Sequence, residues 1–270
     1  MLIIDFIKRY PFVCISMVLL MSFIPAQLNA AIAETPELVG DRPDFTESSQ
    51  VVGKNILQVE SGYTYTETDP LTDHTAGELL IRYGVIDFLE LRFGVNSYVW
   101  QEYDEEIIDG KDDGSFGIKI NLLKGSDTFN LFSPSAALII GTSIPVGNND
   151  LTSDRFEPEA KLALSWVFTE WLELGVNANY ARSGAEGEEF NQYSASGALG
   201  IGITDTIGCF LEYYGFYPES KDGHDSHYLN GGFTLLVHPR VQIDTRAGFR
   251  AFSDVDEWFW GAGIILMMGG

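Results

Sequence analysis

The chain is short of positive charge, of cysteine and of long apolar runs. Its 270 residues include 16 Lys and Arg against 39 Asp and Glu, a formal net charge of −23. Nucleic-acid binding needs cationic side chains to displace the counterions of the phosphate backbone, so that class is excluded. The acidic surplus reads as a solvated surface. The sharper alternative is acidic loops bridged by divalent cations to anionic lipopolysaccharide. Two cysteines are present, and Cys14 lies in an N-terminal leader. Cys209 then stands alone, which excludes an intramolecular disulfide and suggests a small packed or outward-facing residue. His74, His224, His227 and His238 form no His-x-x-x-His pair, and there is no Cys-x-x-Cys. Neither a metal site nor another cofactor is therefore expected. Ser226 and His227 are neighbours, but adjacent strand residues point to opposite faces and cannot form a catalytic dyad. No enzyme is expected, and with no nucleotide motif no energy input is implied.

The leader itself is legible. Lys8 and Arg9 supply a positive region, Phe12 to Ile24 an apolar region, and Ala31-Ile32-Ala33 a small-x-small cleavage site. Residues 1–33 read as a cleaved signal peptide, with the mature chain starting near Glu34 and Leu28-Asn29-Ala30 as the other cleavage candidate. The apolar run is short for a spanning helix, and nothing after it approaches that length.

What the chain does have is alternation. Val59, Ser61, Tyr63 and Tyr65 fall on one strand face; Gln58, Glu60, Gly62, Thr64 and Thr66 fall on the other. This dyad repeat continues from Asn55 to the C-terminus in runs of about ten residues, the signature of a transmembrane β-barrel. The expected fold is all-β, an up-and-down antiparallel barrel of about twelve strands over residues 55–270. The strands are expected at 55–66, 76–85, 89–99, 114–123, 134–144, 157–168, 172–182, 190–203, 207–217, 227–237, 241–252 and 257–267. Tight turns at 86–88, 169–171, 204–206 and 238–240 alternate with longer polar segments at 67–75, 100–113, 145–156, 183–189, 218–226 and 253–256. The connection 124–133 is the exception on the tight-turn side. Barrels keep short turns in the periplasm and long loops outside, so a periplasmic N-terminus puts the other connections on their expected side. Around the turns, Asp87-Phe88-Leu89-Glu90-Leu91 and Glu170-Trp171-Leu172-Glu173-Leu174 repeat one hairpin unit. Aromatics gather at strand ends, at Tyr98, Trp100, Tyr213 to Tyr217 and Trp258 to Trp260, and again at Phe88, Trp166, Phe168 and Trp171. They read as two interfacial girdles.

Parity assigns the charges. If Leu79, Ile81 and Tyr83 face lipid, then Glu60, Glu78, Arg82, Glu90, Arg92 and Asn96 face the interior. The same rule turns Lys119, Glu159, Lys161, Glu173 and Asn177 inward, and with them Glu212, Asp244, Arg246 and Arg250. An Arg or Lys on the lipid face at mid-membrane costs about 2–4 kcal/mol, which enforces the pattern. These candidate pore-lining charges either orient a solute or pair across the interior and fill it; a barrel of this size falls between filled and open ones. Residues 34–54 are polar and proline-bearing, and read as a periplasmic extension or as a plug carrying Asp41, Arg42, Asp44 and Glu47. Asp109 to Gly114 lacks the twelve-residue calcium-loop pattern and reads as a solvated loop.

Several stretches together resemble a known family. They include Asp41-Arg42-Pro43-Asp44-Phe45-Thr46-Glu47-Ser48, Leu57 to Tyr65, Gly77 to Gly84 and Leu89 to Tyr98. Further on come Ser143 to Gly147, Glu157 to Trp166, Glu212 to Phe216 and Ser226 to Gly232. They resemble the outer-membrane β-barrel transporters labelled MetA-pathway of phenol degradation. The resemblance implies an outer-membrane barrel of a Gram-negative bacterium with an uptake role; its phenol label reads as genetic context. The chain departs from the usual barrel pattern in ending Leu266-Met267-Met268-Gly269-Gly270 rather than on an aromatic residue. The expectation is a channel for passive passage of a small solute, with aromatic or hydrophobic compounds among the classes considered. Its partners would be outer-membrane lipid and lipopolysaccharide, the solute and the barrel insertion machinery. The alternative is a non-conducting barrel, structural or lipid-modifying.

Overall fold

The computed structural model describes residues 37–270 except 104–105, 149–150, 186–187 and 221–222. The expected leader and cleavage site lie outside the described residues. The strands are β1 (Ile56–Thr68), β2 (Leu71–Ile86), β3 (Leu89–Val95), β4 (Tyr98–Tyr103), β5 (Glu106–Lys111), β6 (Gly114–Leu123) and β7 (Ser135–Ile144). They continue as β8 (Pro158–Thr169), β9 (Leu172–Ala185), β10 (Glu188–Gly202), β11 (Ile207–Tyr217), β12 (Ser226–His238), β13 (Val241–Ala251) and β14 (Glu257–Gly269). Among the described residues no helix is long and apolar enough to cross a membrane.

β1 pairs with β2 on one side and with β14 on the other, which closes the sheet. β3 and β4 share one place in the wall: β2 pairs with β3 along Leu79–Ile86 and with β4 along Leu71–Ala76. β6 and β5 share the next, against β3 and β4 respectively. The fourteen segments therefore form a closed, antiparallel, up-and-down barrel of 12 strands.

Its two faces have the polarity of a membrane barrel. Phe93, Ile140, Leu162, Leu211, Phe233 and Ile243 keep 39% to 64% of their surface exposed on the outside. Glu60, Arg82, Glu90 and Lys119 keep none. A soluble barrel would bury the first set and expose the second; apolar area spread over an outer wall fits lipid.

Three local features differ from the alternation reading. First, β1 and β2 run on to a turn at Asp69-Pro70, where a loop over 67–75 was expected. Thr64, Thr66, Thr68, Thr72 and Thr75 with Tyr65 are strong strand formers, and a hairpin beyond the lipid needs propensity rather than alternation. Likewise 100–113 is mostly the β4–β5 hairpin, and β9 and β10 extend to 185 and 188. Second, the strand expected over 89–99 breaks at Asn96-Ser97. Third, β2 holds a bulge: Glu60 faces Leu80 but Gly62 faces Gly77. Gly77 and Glu78 have φ of 103° and 35°. The extra residue reverses the parity of β2 beyond it, so His74 turns outward to pair with Tyr65 and bond Tyr63 Oη at 2.8 Å.

Candidate functional site

Residues 37–53 precede β1 and bond to the inner face of strands around the ring. The contacts divide into two groups. The first centres on Asp41. Its carboxylate accepts from Lys119 Nζ at 2.9 Å through both oxygens, and from Arg92 Nη1 at 2.5 Å. Arg82 Nη1 stands 3.3 Å away. Arg82 also donates through Nε and Nη2 to Glu90, at 2.8 and 3.0 Å, and through Nη1 to Glu60 at 3.0 Å. Backbone groups of the segment complete the cluster. Asp41 N donates to Glu60, Val52 N donates to Glu90 Oε2, and Gln50 O accepts from Arg82 and Lys119. Glu47 joins it by accepting from Arg92 at 2.6 Å and from Lys161 at 2.7 Å. Below the charges, Leu38 and Val52 pack on Ile56 and Met267.

On the opposite side the wall supplies fewer charges. Glu212 accepts from Phe45 N at 2.9 Å, from Thr46 N at 2.7 Å, from Thr46 Oγ1 at 2.7 Å and from Asn230 Nδ2 at 2.9 Å. The Phe45 ring stacks on Tyr214. Ser49 and Ser165 share a hydroxyl hydrogen bond of 2.7 Å. Between the two groups, Arg42 bonds Glu78 at 2.5 Å and Asp244 at 3.4 Å, while Arg246 donates to Pro43 O at 3.1 Å.

Glycines make room for this approach. A Cβ on Gly62 would stand 2.3 Å from Arg42 Cζ, and one on Gly84 would stand 1.9 Å from Gly53 O. On the β8–β13 side the segment leaves a cleft of about 410 Å³ against the wall, bordered by Asp44, Ser165, Glu173, Gly200, Phe210 and Thr234.

The two groups differ in electrostatics. Burial alone would raise the Asp41 carboxyl, but Arg82, Lys119 and Arg92 outweigh it and hold it well below the ordinary 3.8. Glu47 is lowered from 4.5 to about 2, again with Arg92 and Lys161 overriding burial. Asp44 moves the other way: burial, then the nearby Glu212 carboxylate, push it well above 3.8.

A family model described as "Putative MetA-pathway of phenol degradation" matches residues 40–268. The chain belongs to that family. No curated protein matches its sequence. Among solved structures it resembles the NanC porin, at 12% identity and TM-score 0.53, over 78% of this chain and 98% of that one. The KdgM porin in complex with disordered oligogalacturonate aligns at 10% identity and TM-score 0.47, over 77% and 98%. The NanC likeness shows the fold alone, a closed antiparallel β-barrel.

In this family member the inward-turned charges fall into three sets. Glu60, Arg82, Glu90, Arg92, Lys119 and Lys161 meet the segment at its Asp41–Glu47 cluster, with Glu159 3.4 Å from Lys161. Glu78, Asn177, Glu212, Asp244 and Arg246 meet it elsewhere, Asn177 by donating to Glu47 O at 3.3 Å. Three stand apart from its contacts: Arg250 pairs with Glu219 at 2.9 Å and Glu257 at 3.6 Å, Asn96 donates to Asp112 O from the β3–β4 break, and Glu173 borders the cleft. The aromatic reading needs correction at Tyr214, Phe216 and Phe259. Their register places them with inward Ser194, Ser196 and Thr66, so alternate rings of those clusters line the interior rather than an outer girdle. Phe45 and Thr46 carried no signal in the sequence beyond the family motif, and Ser49 carried none. His227 bonds Tyr213 Oη at 2.8 Å on the outside while Ser226 is buried inside, as adjacent strand positions require. Asp113 accepts from Gly147 N and Ser153 N, fixing the β7–β8 connection. Among the described residues no cluster of His, Cys, Asp or Glu is arranged to hold a metal.

Proposed function

We propose that this protein is an outer-membrane channel for passive passage of a small solute, closed in this conformation by residues 37–53 acting as a plug. One observation carries the reading: wall charges are neutralised by the segment as well as by one another. Arg82, Arg92 and Lys119 face only two wall carboxylates within the cluster, Glu60 and Glu90, and Asp41 supplies the third. A solid barrel would balance its interior with wall side chains alone. A twelve-strand barrel is wide enough to leave a passage once a separate filling moves aside. Asp41, Arg42, Asp44 and Glu47 are then gate residues, and the inward charges line the pore that the gate uncovers.

Planar-bilayer recordings of refolded protein test this. Deleting residues 37–53 is expected to raise single-channel conductance severalfold. It should also shift selectivity toward anions, because the uncovered Arg82, Arg92 and Lys119 outnumber Glu60 and Glu90. No conductance from either form would reject the channel and favour a structural barrel.

A further inference from the structure

The connection between β6 and β7 is out of proportion at its end of the barrel. The others there, 87–88, 170–171, 203–206 and 239–240, are two to four residues long. This one runs from 124 to 134, and it is apolar where a loop in water would be polar. Phe132 is 93% exposed, Leu131 60% and Phe129 49%. Leu122 and Leu123 precede them at a bulge of β6 and are 50% and 56% exposed. Residues 122–133 carry one Lys and one Asp, so they are neutral in a chain of net charge −23. An exposed apolar patch of this kind marks a contact with something other than water.

The loop is folded against the outer wall. Trp166 is on the outer face of β8, because its neighbour Ser165 points inward to Ser49. Its Nε1 donates to Leu131 O at 3.1 Å. The Phe129 ring stacks on Phe168, also on β8, with centroids 4.6 Å apart and planes at 14°. The patch is therefore continuous with the lipid-facing wall. An irregular backbone is barred from the hydrocarbon core. Much of this one is nonetheless satisfied. Gly125 N donates to Ser135 Oγ, Ser126 N to Ser133 O, Phe132 N to Asn130 Oδ1 and Ser133 N to Asn130 O. Apolar side chains on such a backbone, beside a Trp, suit the boundary between headgroups and acyl chains.

We propose that residues 122–133 are a lipid anchor, which sets Leu131 and Phe132 into the membrane leaflet at this end of the barrel. Continuity with the outer wall selects lipid over a protein partner. Lys124, the one cation of the stretch, suits the phosphate of a headgroup. The anchor has a consequence for the interior. The loop joins β6 to β7 and rests on β8. Asn121 of β6 and Ser165 of β8 are the side chains that hold Ser49. Fixing the ends of these strands in the leaflet steadies the wall on which the segment 37–53 is seated. The inference stands apart from the channel reading, since a barrel that conducts nothing would be anchored in the same way.

The test is nitroxide labelling of the refolded full chain in dioleoylphosphatidylcholine nanodiscs, in a Cys14→Ser, Cys209→Ser background. Labels are placed by Phe132→Cys, by Asp127→Cys in the polar part of the loop, and by Ile140→Cys on the outer wall. Collision with a water-soluble nickel chelate, relative to oxygen, is expected to be about fivefold lower at 132 than at 127 and to approach that at 140. Leu131→Cys replaces Phe132→Cys, with the same expectation, if that variant lacks the heat-modifiable mobility of a folded barrel. Equal ratios at 132 and 127 would overturn the proposal and leave the patch to a soluble protein. Dipolar broadening at 132 that vanishes on dilution with unlabelled chain would also overturn it, and would assign the patch to a second copy.

Discussion

The two sides of the segment 37–53 are held by different physics. At Asp41 the wall offers Arg82, Arg92 and Lys119, all nearly or fully buried, and each charge has several partners. At Phe45 and Thr46 the wall offers one carboxylate, a row of rings and a cleft beside them. A buried ion cluster is costly to break, because removing one member strands the others in a place that water does not reach. Stacked rings and backbone hydrogen bonds to a single acceptor can be exchanged for a competing ligand's contacts. A segment held this way has a fixed end and a releasable end. Motion should start at Phe45 and stop at Asp41.

The sharpest way to break the comparison is Asp41→Asn. The substitution removes the carboxylate that Arg82, Arg92 and Lys119 share and should weaken seating of the segment by about 3–5 kcal/mol. Proteolytic cleavage within 37–53 of the refolded protein should then accelerate about a hundredfold or more, while the barrel keeps its heat-modifiable mobility. Unchanged cleavage would mean that the fixed end is not at Asp41. Gly84→Ala probes the same side by volume. Its new methyl would meet Gly53 O at 1.9 Å, and overpacking of this kind costs about 1–3 kcal/mol. The same cleavage assay should show an increase of about tenfold, and protection equal to the native chain would show that the backbone there can shift freely.

The fixed side was far more legible in the sequence than the releasable one. Strand parity is strict, so Arg82, Glu90, Arg92 and Lys119 could be turned inward from the pattern of their apolar neighbours alone. The same parity should have turned Tyr214 and Phe216 inward with Glu212; grouping rings by height hid it. Nothing in 37–53 has a period, so its path had no local signal. Its partners are remote in sequence, from Glu60, 19 residues after Asp41, to Asp244, 202 residues after Arg42. The bulge at Glu78 was equally silent: its parity change needs both strands to be seen. The long polar hairpins at the far end were read as loops because alternation vanishes where there is no lipid to impose it.

On the releasable side, Glu212→Gln is expected to have a smaller effect. One amide oxygen can still accept, so the loss should be about 1–2 kcal/mol. The backbone amides of Phe45 and Thr46, which donate to Glu212, should exchange with deuterium faster while those of Asp41 and Val52 do not. Equal gains at both pairs would erase the distinction between the two ends.

The smallest effect is also the one with the opposite sign. Asp44 lies beside Glu212 and its folded pKa is raised, so the seated segment holds a proton that the released segment gives up. Seating therefore strengthens as pH falls from the raised value toward 3.8 and weakens as pH rises through that window. Asp41 and Glu47 run the other way. Their folded values are depressed, so their contribution is complete above about 4.5 and is lost only as pH falls through about 2 for Glu47 and lower still for Asp41. Between neutral pH and about 4.5 the fixed end should hold steady while the releasable end tightens. Asp44→Asn should reproduce that tightening at neutral pH, because an amide there puts no charge beside Glu212. It should also abolish the pH dependence of the protection of the Phe45 and Thr46 amides against exchange, beyond the intrinsic pH dependence of exchange itself. A variant that loosens the segment instead would mean that the Asp44 charge is held by a partner on the wall, and that the two ends are less different than their contacts imply.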